Sequence, residues 1–509
     1  MSGQESILGR TMRGAGWVVA WRMLTRLLGL ASTLVLVRLL APDDFGLVAL
    51  AAAFAATLDV CLSLGVEDQI VRARDPRPAL YNTAFTLNLL RGVFVAVAVA
   101  IAAAPAARFF GDMRLEDVLL AIAVSAAATG LTNVGVVDFR RHLMFHKEFW
   151  LQLLPRLLGI AVTIGGAAIL RNHWALVLGI LVNRFGVVIM SYMLHPYRPR
   201  LDLSAWRELA GVSFWSWAIS TTAVIRDRMD SFVIGRTMAP VQVGVFTVGV
   251  EVATLPTTEV VDPICRACMP GFAAALRTGG PEEVADAYLR ILSLIGLLTL
   301  PAGFGISLIS APVVTLGFGQ AWLDAIPVVA ILGVAWTTTL FGNVSIALLS
   351  ARTMLRTILV ISAVSALLRL PFLLLLIPSH GLTGAAIAVG IVMAAEQCAL
   401  MAFALHQLKL SFGALLARVA RPLLASGAMT AALWASGLGW AAPPASASEA
   451  LWQIMGGIGL GVATFTVAVA MLWSLAGRPP GAEMDLLRFL RRLLSRLVAD
   501  RQIATLRGG

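Results

Sequence analysis

The chain has 509 residues, of which 59% are hydrophobic and 13% charged, with a net charge of +11 and a mean hydropathy of +0.86. A soluble globular chain carries roughly 25% charge, so this composition excludes that class and indicates a membrane protein. The positive balance does not imply nucleic acid, because the arginines lie mostly between apolar runs, where they set topology.

Fourteen apolar runs follow one another at about 14–40, 44–66, 82–104, 115–137, 151–170, 173–195, 209–235, 243–263, 286–309, 324–350, 355–377, 380–405, 421–441 and 451–475. Each is long enough for a helix to cross ~30 Å of hydrocarbon. Alternating, strand-length segments of an outer-membrane barrel are absent. The expected fold is an all-α integral membrane protein of about fourteen spans. The first run is too long for a signal-peptide core and has no cleavage site after it; it is read as the first transmembrane helix.

Basic residues alternate between the connections. Arg10 and Arg13, Arg72, Arg74 and Arg77, Arg140, Arg141 and Lys147, then Arg198, Arg200 and Arg207 lie on one side. Arg266 and Arg277, Arg352 and Arg356, and Lys409 and Arg418 continue the series, while the opposite connections are poor in positive charge. The positive-inside rule then puts both termini in the cytoplasm.

A short hinge occurs twice. Arg38-Leu-Leu-Ala-Pro42-Asp-Asp-Phe-Gly46 returns as Arg236-Thr-Met-Ala-Pro240-Val-Gln-Val-Gly244, at an offset of 236 − 38 = 198 residues. Trp17 and Trp215, and Ala20 and Ala218, share the offset. Pro ends a helix, Gly accepts unusual turn dihedrals, and Arg reaches the interface. Two pseudo-symmetric lobes of parallel orientation around a central cavity are expected. They cover 1–200 and 201–420, followed by two additional spans within 421–482. A basic amphipathic cytoplasmic tail at 483–509 has leucines at helical spacing between arginines from Met484 to Val498. It suits either the anionic leaflet or a solvated helix packed on the protein.

No catalytic motif supports an enzyme. Lys147 and Lys409 are the only lysines and neither sits in a Gly-Lys-Ser/Thr nucleotide loop; His-Glu-x-x-His and Asp-x-Asp are absent. Cys61, Cys265, Cys268 and Cys398 lie in or beside apolar runs and read as packing residues, giving neither a disulfide scaffold nor a metal site. No cofactor is expected.

The informative residues are charges inside the runs, because each costs at least ~2.5–3.5 kcal/mol on insertion scales unless it faces water or a partner. Arg22 and Arg26 share a face of the first run, as do Arg226 and Asp230 of the seventh. Asn88 and Arg91 are a turn apart in the third. The arginines suit a phosphate-bearing substrate in a wet cavity; the alternative is snorkelling to headgroups. Asp59, Glu251 and Glu259 could load a cation or proton, or serve as structural partners of arginine. Pro256 is expected to break the eighth run between Glu251 and Glu259. Arg369 and Glu396 lie in the eleventh and twelfth.

These segments resemble a known family. Arg38 to Leu47, Leu62-Ser-Leu-Gly65 and Ile70-Val-Arg72 are similar to the N-terminal signature of Wzx-type polysaccharide transporters. Met229 to Arg236 with Gly244-Val-Phe246 is similar to the second-lobe signature, and Pro263 to Pro270 to the loop after the eighth span. These transporters form part of the multidrug, oligosaccharidyl-lipid and polysaccharide exporter superfamily. The chain departs at Ser63-Leu-Gly-Val66, where an acid is usual, and at Phe246, where a Tyr is usual.

The resemblance implies a flippase that moves an undecaprenyl-pyrophosphate-linked oligosaccharide across the cytoplasmic membrane by alternating access. The glycan would belong to exopolysaccharide, capsule or lipopolysaccharide O-antigen, and the energy would come from a proton or sodium gradient. Its partners would be that polyprenyl-linked glycan, membrane lipids, and a polymerase with its export machinery, and it would work as a monomer. A cation-coupled multidrug exporter and a lipid-linked peptidoglycan precursor flippase are the alternatives within the superfamily.

Overall fold

The computed structural model describes residues 7–63, 65–73, 76–209, 214–278, 280–478, 481–484 and 488. Among these every regular element is a helix, as water-free surroundings require of a chain whose backbone groups must pair internally. The described residues of the fourteen apolar runs fall largely on helix. Among the described residues seven helices are long and apolar enough to cross a membrane, and up to nine if each of two bent pairs counts as one span.

The described residues group into two compact units. The first takes those of Met1–Thr247, Gly317–Trp322 and Leu373–Leu382. It contains α1 (Ile7–Leu39), α2 (Pro42–Cys61), α3 (Val66–Arg72), α4 (Pro78–Phe110), α5 (Arg114–Gly130), α6 (Val137–Arg141), α7 (Phe145–Leu170), α8 (Trp174–Leu194), α9 (Trp206–Leu209) and α10 (Phe214–Thr237). Its largest core joins α2, α4, α5 and α8 through Leu47, Leu50, Val99, Leu119, Ile122 and Val177. Helices approach closely where side chains are absent: a Cβ on Gly92 of α4 would lie 2.9 Å from the Gly130 Cα of α5. Membrane helices gain dispersion contacts in this way, without a hydrophobic drive between them.

The repeated hinge is expressed in the backbone. α1 ends at Leu39 and α10 at Thr237; α2 begins at Pro42 and α11 (Pro240–Thr278) at Pro240. Both boundaries keep the offset, since 237 − 39 = 198 and 240 − 42 = 198. At the first corner Asp44 accepts the Ala41 N–H at 3.2 Å. The Val37 carbonyl, left over at the end of α1, accepts the indole N–H of Trp322 at 3.2 Å. Trp322 is fully buried, edge-on to Phe45 at 5.4 Å.

The joint between the sequence repeats is strapped down. Asn82 Oδ1 accepts from the Arg200 N–H at 2.8 Å and from the Tyr197 hydroxyl at 2.6 Å. Thr86 and Thr83 of α4 accept from the Asp202 and Ala205 N–H groups. The Asn133 amide donates to the Tyr197 carbonyl at 2.7 Å. Around it lie Tyr81, whose hydroxyl donates to Asp138 at 2.5 Å, and His195, 3.6 Å from the same carboxylate.

The second unit takes the described residues of Val248–Leu316, Leu323–Phe372 and Thr383–Gly509. It holds most of α11, then α12 (Pro281–Leu308), α13 (Ser310–Phe318, its end in the first unit), α14 (Ala325–Trp336), α15 (Thr339–Ala351), most of α16 (Leu355–Gln407), α17 (Phe412–Ala435) and α18 (Ala447–Leu475). Phe272, Tyr288, Leu292, Val344, Met401 and Leu415 form its main core. Two expectations are corrected here. Pro256 does not break its helix, and Pro263 to Pro270 is not a loop: α11 is continuous from Pro240 to Thr278. A proline removes one backbone donor without stopping a helix whose neighbouring bonds hold it. Conversely, α16 is interrupted at Gly381, with φ 57° and ψ −135°. Only glycine takes that conformation readily, and the break falls at the start of the twelfth apolar run. The tail from Met484 to Val498 lies outside the described residues, apart from Met484 and Arg488.

Candidate functional site

The charged residues singled out in the sequence divide between the units. Arg22, Arg26, Asp59, Arg91, Arg226 and Asp230 belong to the first, Glu251 and Glu259 to the second. The side chains of Arg22 and Glu259 lie outside the described residues. Glu251 is half-buried on α11.

In the first unit Arg91 of α4 and Asp59 of α2 come together, Nε to Oδ1 at 3.7 Å. Asp59, which follows a long uncharged run in the sequence, therefore has a cation facing it. The separation exceeds hydrogen-bond length, and the buried Arg91 Nε has no hydrogen-bond partner. The pair is held by charge alone, so a competing anion could take the guanidinium without first breaking a directional bond.

Arg226 and Asp230 occupy one face of α10, but the carboxylate bonded to Arg226 Nε is its neighbour Asp227, at 2.8 Å. Asp227 is largely exposed, whereas Asp230 is only 6% exposed. Adjacent residues on a helix point about 100° apart, and the flexible side chains of Arg226 and Asp227 close that gap.

Arg26 is half-buried on α1. One turn on, at Gly29, a Cβ would lie 3.0 Å from the Arg156 Nη2 of α7. Arg156 thus shares the α1–α7 contact, which Trp21 and Phe149 also form edge-on at 6.2 Å. Residues three apart share a helix face, so the absent side chain at Gly29 makes room for a second guanidinium beside the Arg26 stripe. Arg156 was not singled out from the sequence; its place is shown only by Gly29 of another helix.

Arg38 and Arg236 read as interfacial anchors of the two hinges. Arg236 lies over the Phe109 ring at 5.2 Å, a cation–π contact that covers the guanidinium's apolar faces. Nearby, Arg114 bridges Asp43 at 2.7 Å and Asp112 at 2.6 Å. Hydrogen bonds from Arg114 hold the Asp112 carboxyl below its ordinary value, against the opposing effect of burial.

In the second unit Glu396 is 4% exposed. It accepts from Ser362 at 2.9 Å and Ser365 at 2.8 Å. Arg369, a turn beyond Ser365, is also buried. Among the described residues no group of three or more His, Cys, Asp or Glu side chains could hold a metal.

The chain is 22% identical over 315 residues to the Escherichia coli K12 lipopolysaccharide biosynthesis protein WzxC, covering 61% of this chain and 64% of that one. It is 22% identical over 304 residues to the Rhizobium meliloti 1021 succinoglycan biosynthesis transport protein ExoT, covering 59% of this chain and 61% of that one. The chain thus spans somewhat less than two thirds of the length of each. In fold it is similar to the lipid II flippase MurJ in an inward closed conformation, with a TM-score of 0.70 at 11% identity over 90% of this chain and 99% of that chain. The resemblance carried by the two hinge signatures is upheld. The model of the polysaccharide biosynthesis protein family matches residues 35–327, more than half of the sequence, and this multi-pass membrane protein belongs to that family.

Proposed function

We propose that the protein is a flippase that carries an undecaprenyl-pyrophosphate-linked oligosaccharide across the bacterial inner membrane. The observation that carries this reading is the set of arginines on membrane-crossing elements of the first unit: Arg26 and Arg156 at the α1–α7 contact and Arg91 against Asp59. Fixed cations at bilayer depth are costly unless they meet water or an anion, and a pyrophosphate offers guanidinium groups a geometric match. The family, the transport named in ExoT and the flippase fold of MurJ support the same reading.

In this mechanism the glycan crosses in a wet passage while the polyprenyl tail stays in lipid. Arg22, Arg26, Arg91 and Arg226 receive the pyrophosphate, and Asp230 positions the α10 cations. Asp59, Glu251 or Glu259 couples transport to a proton or sodium gradient. The chain crosses fourteen times with both termini in the cytoplasm, its lobes at 1–200 and 201–420 alternating access. It acts as a monomer that hands repeat units of exopolysaccharide, capsule or O-antigen to a polymerase. The test is Arg22→Ala with Arg26→Ala in a strain making a surface polysaccharide. Polymer export should fall at least tenfold with the protein still in the membrane; unchanged export overturns the role given to these cations.

A further inference from the structure

One arginine in the middle of α8 has no role in the account so far. Arg184 is the eleventh of the 21 residues in Trp174–Leu194, about 15 Å from either end at 1.5 Å per residue. That is further than its side chain can extend to the headgroups. It is nevertheless exposed.

The direction of that exposure is informative. Leu178, Phe185, Ile189 and Met193 form the open apolar stripe of α8, each 40% exposed or more, and this is the face suited to lipid. Arg184 lies on another face, about 130° around the helix at 100° per residue. Its stripe runs through Val177, two turns before, and Ser191, two turns after, both fully buried. Val177 packs into the core made with α2, α4 and α5. Ser191 Oγ accepts from the Asn133 N–H at 3.0 Å. The stripe is therefore the inward-facing one, sealed above and below and open at the guanidinium. A third face, through Gly179 and Gly186, packs on Thr163 and Pro155 of α7, so the opening does not lie there. Arg184 is also paired with no carboxylate among the described residues.

An arginine that is unpaired, exposed and turned away from lipid at mid-membrane marks a water-filled opening. We propose that Arg184 forms a further anion-binding site inside the first unit, which takes the phosphate-bearing headgroup of a polyprenyl lipid in addition to the cations named above. Arginine suits this better than lysine, because its planar fork grips two phosphate oxygens together. The identity of the anion rests on the flippase reading; the opening does not.

The experiment uses the full chain in nanodiscs with Cys61, Cys265, Cys268 and Cys398 replaced by Ala. Arg184→Cys and, separately, Phe185→Cys are exposed to a water-soluble, membrane-impermeant thiol reagent. Position 184 should label and position 185 should not. Absence of labelling at 184, or equal labelling at 185, overturns the opening. The anion is tested with Arg184 in place, by binding of inorganic pyrophosphate and of polyprenyl pyrophosphate; binding of the lipid alone identifies a headgroup rather than a free anion, and binding of neither overturns the anion site.

A second measurement leaves the native cysteines in place. Arg184→Gln should weaken polyprenyl pyrophosphate binding about tenfold or more, with Arg184→Lys intermediate; equal affinity in all three proteins overturns the proposal. Both readouts are independent of glycan export, so they fail separately from the test of Arg22 and Arg26.

Discussion

Gly46 and Gly244, equivalent positions 198 residues apart in the two repeats, pack against one another's turns. A Cβ on Gly46 would fall on the Pro240 carbonyl oxygen, and one on Gly244 on the Pro42 carbonyl oxygen. The same hypothetical atoms would lie 2.9 Å from the Gly244 nitrogen and 2.8 Å from the Gly46 nitrogen, respectively. The relation is reciprocal, as a local two-fold demands. Gly46→Ala and Gly244→Ala should each lower thermal stability, since backbone cannot yield as a side-chain end can, at a cost of about 1–3 kcal/mol. The double variant should cost less than the sum, because the first methyl already parts the corner. Simple additivity in detergent melting curves would contradict a shared contact.

Trp322 tests the same corner from another side. Trp322→Phe keeps the aromatic packing on Phe45 but removes the donor to the Val37 carbonyl. An acceptor left unmet in a dry site costs about 1–3 kcal/mol, and Trp322→Leu, losing the ring as well, should cost more. Equal melting temperatures for wild type and Trp322→Phe would show that water replaces the indole.

The joint at His195 should respond to pH. Burial lowers its pKa from the ordinary 6.5, outweighing the pull of Asp138. The Tyr197 N–H donates to Nδ1 at 3.2 Å, which also favours the neutral ring. The folded protein thus binds this proton less readily than the unfolded chain. The contribution is full above about pH 6.5 and is lost as pH falls through the lower folded value. Melting temperature should decline between pH 7 and pH 5, and His195→Gln should flatten that slope. Asp112, also with a lowered pKa, acts below its ordinary 3.8 and leaves this window clear.

Ser362→Ala with Ser365→Ala would remove two donors from the buried Glu396 carboxylate. Each lost bond to a charged acceptor is worth about 1.5–3 kcal/mol, so the double variant should be poorly folded. Adding Glu396→Gln should recover part of the loss, because a neutral amide is cheaper to bury. Failure of that third change to help would mean that the carboxylate draws its support from elsewhere.

How much of this was legible beforehand depended on whether a residue acts through its own chemistry or through what lies opposite. Pro42, Gly46, Pro240 and Gly244 announced both corners, because proline and glycine carry their backbone constraint with them. That the corners would touch was not readable, since contact across 198 residues leaves no local trace. Pro256 misled for the opposite reason: a rule true of isolated helices gave way to the neighbours of α11. Arg156 and Arg184 escaped notice as single charges in apolar runs. Their significance comes from Gly29, supplied by another helix, and from the burial pattern around Arg184.

The strap from His195 to Ala205 has a practical consequence. It carries Arg200, exposed and followed by Leu201, and by composition it is the obvious place for trypsin to sever the protein into halves. A protease must draw several residues out in extended form before it can cut. Here the main-chain N–H groups of Arg200, Asp202 and Ala205 are bonded to Asn82, Thr86 and Thr83. The native joint should survive digestion, and Asn82→Ala should open it to cleavage: what looks like a spacer is a seam.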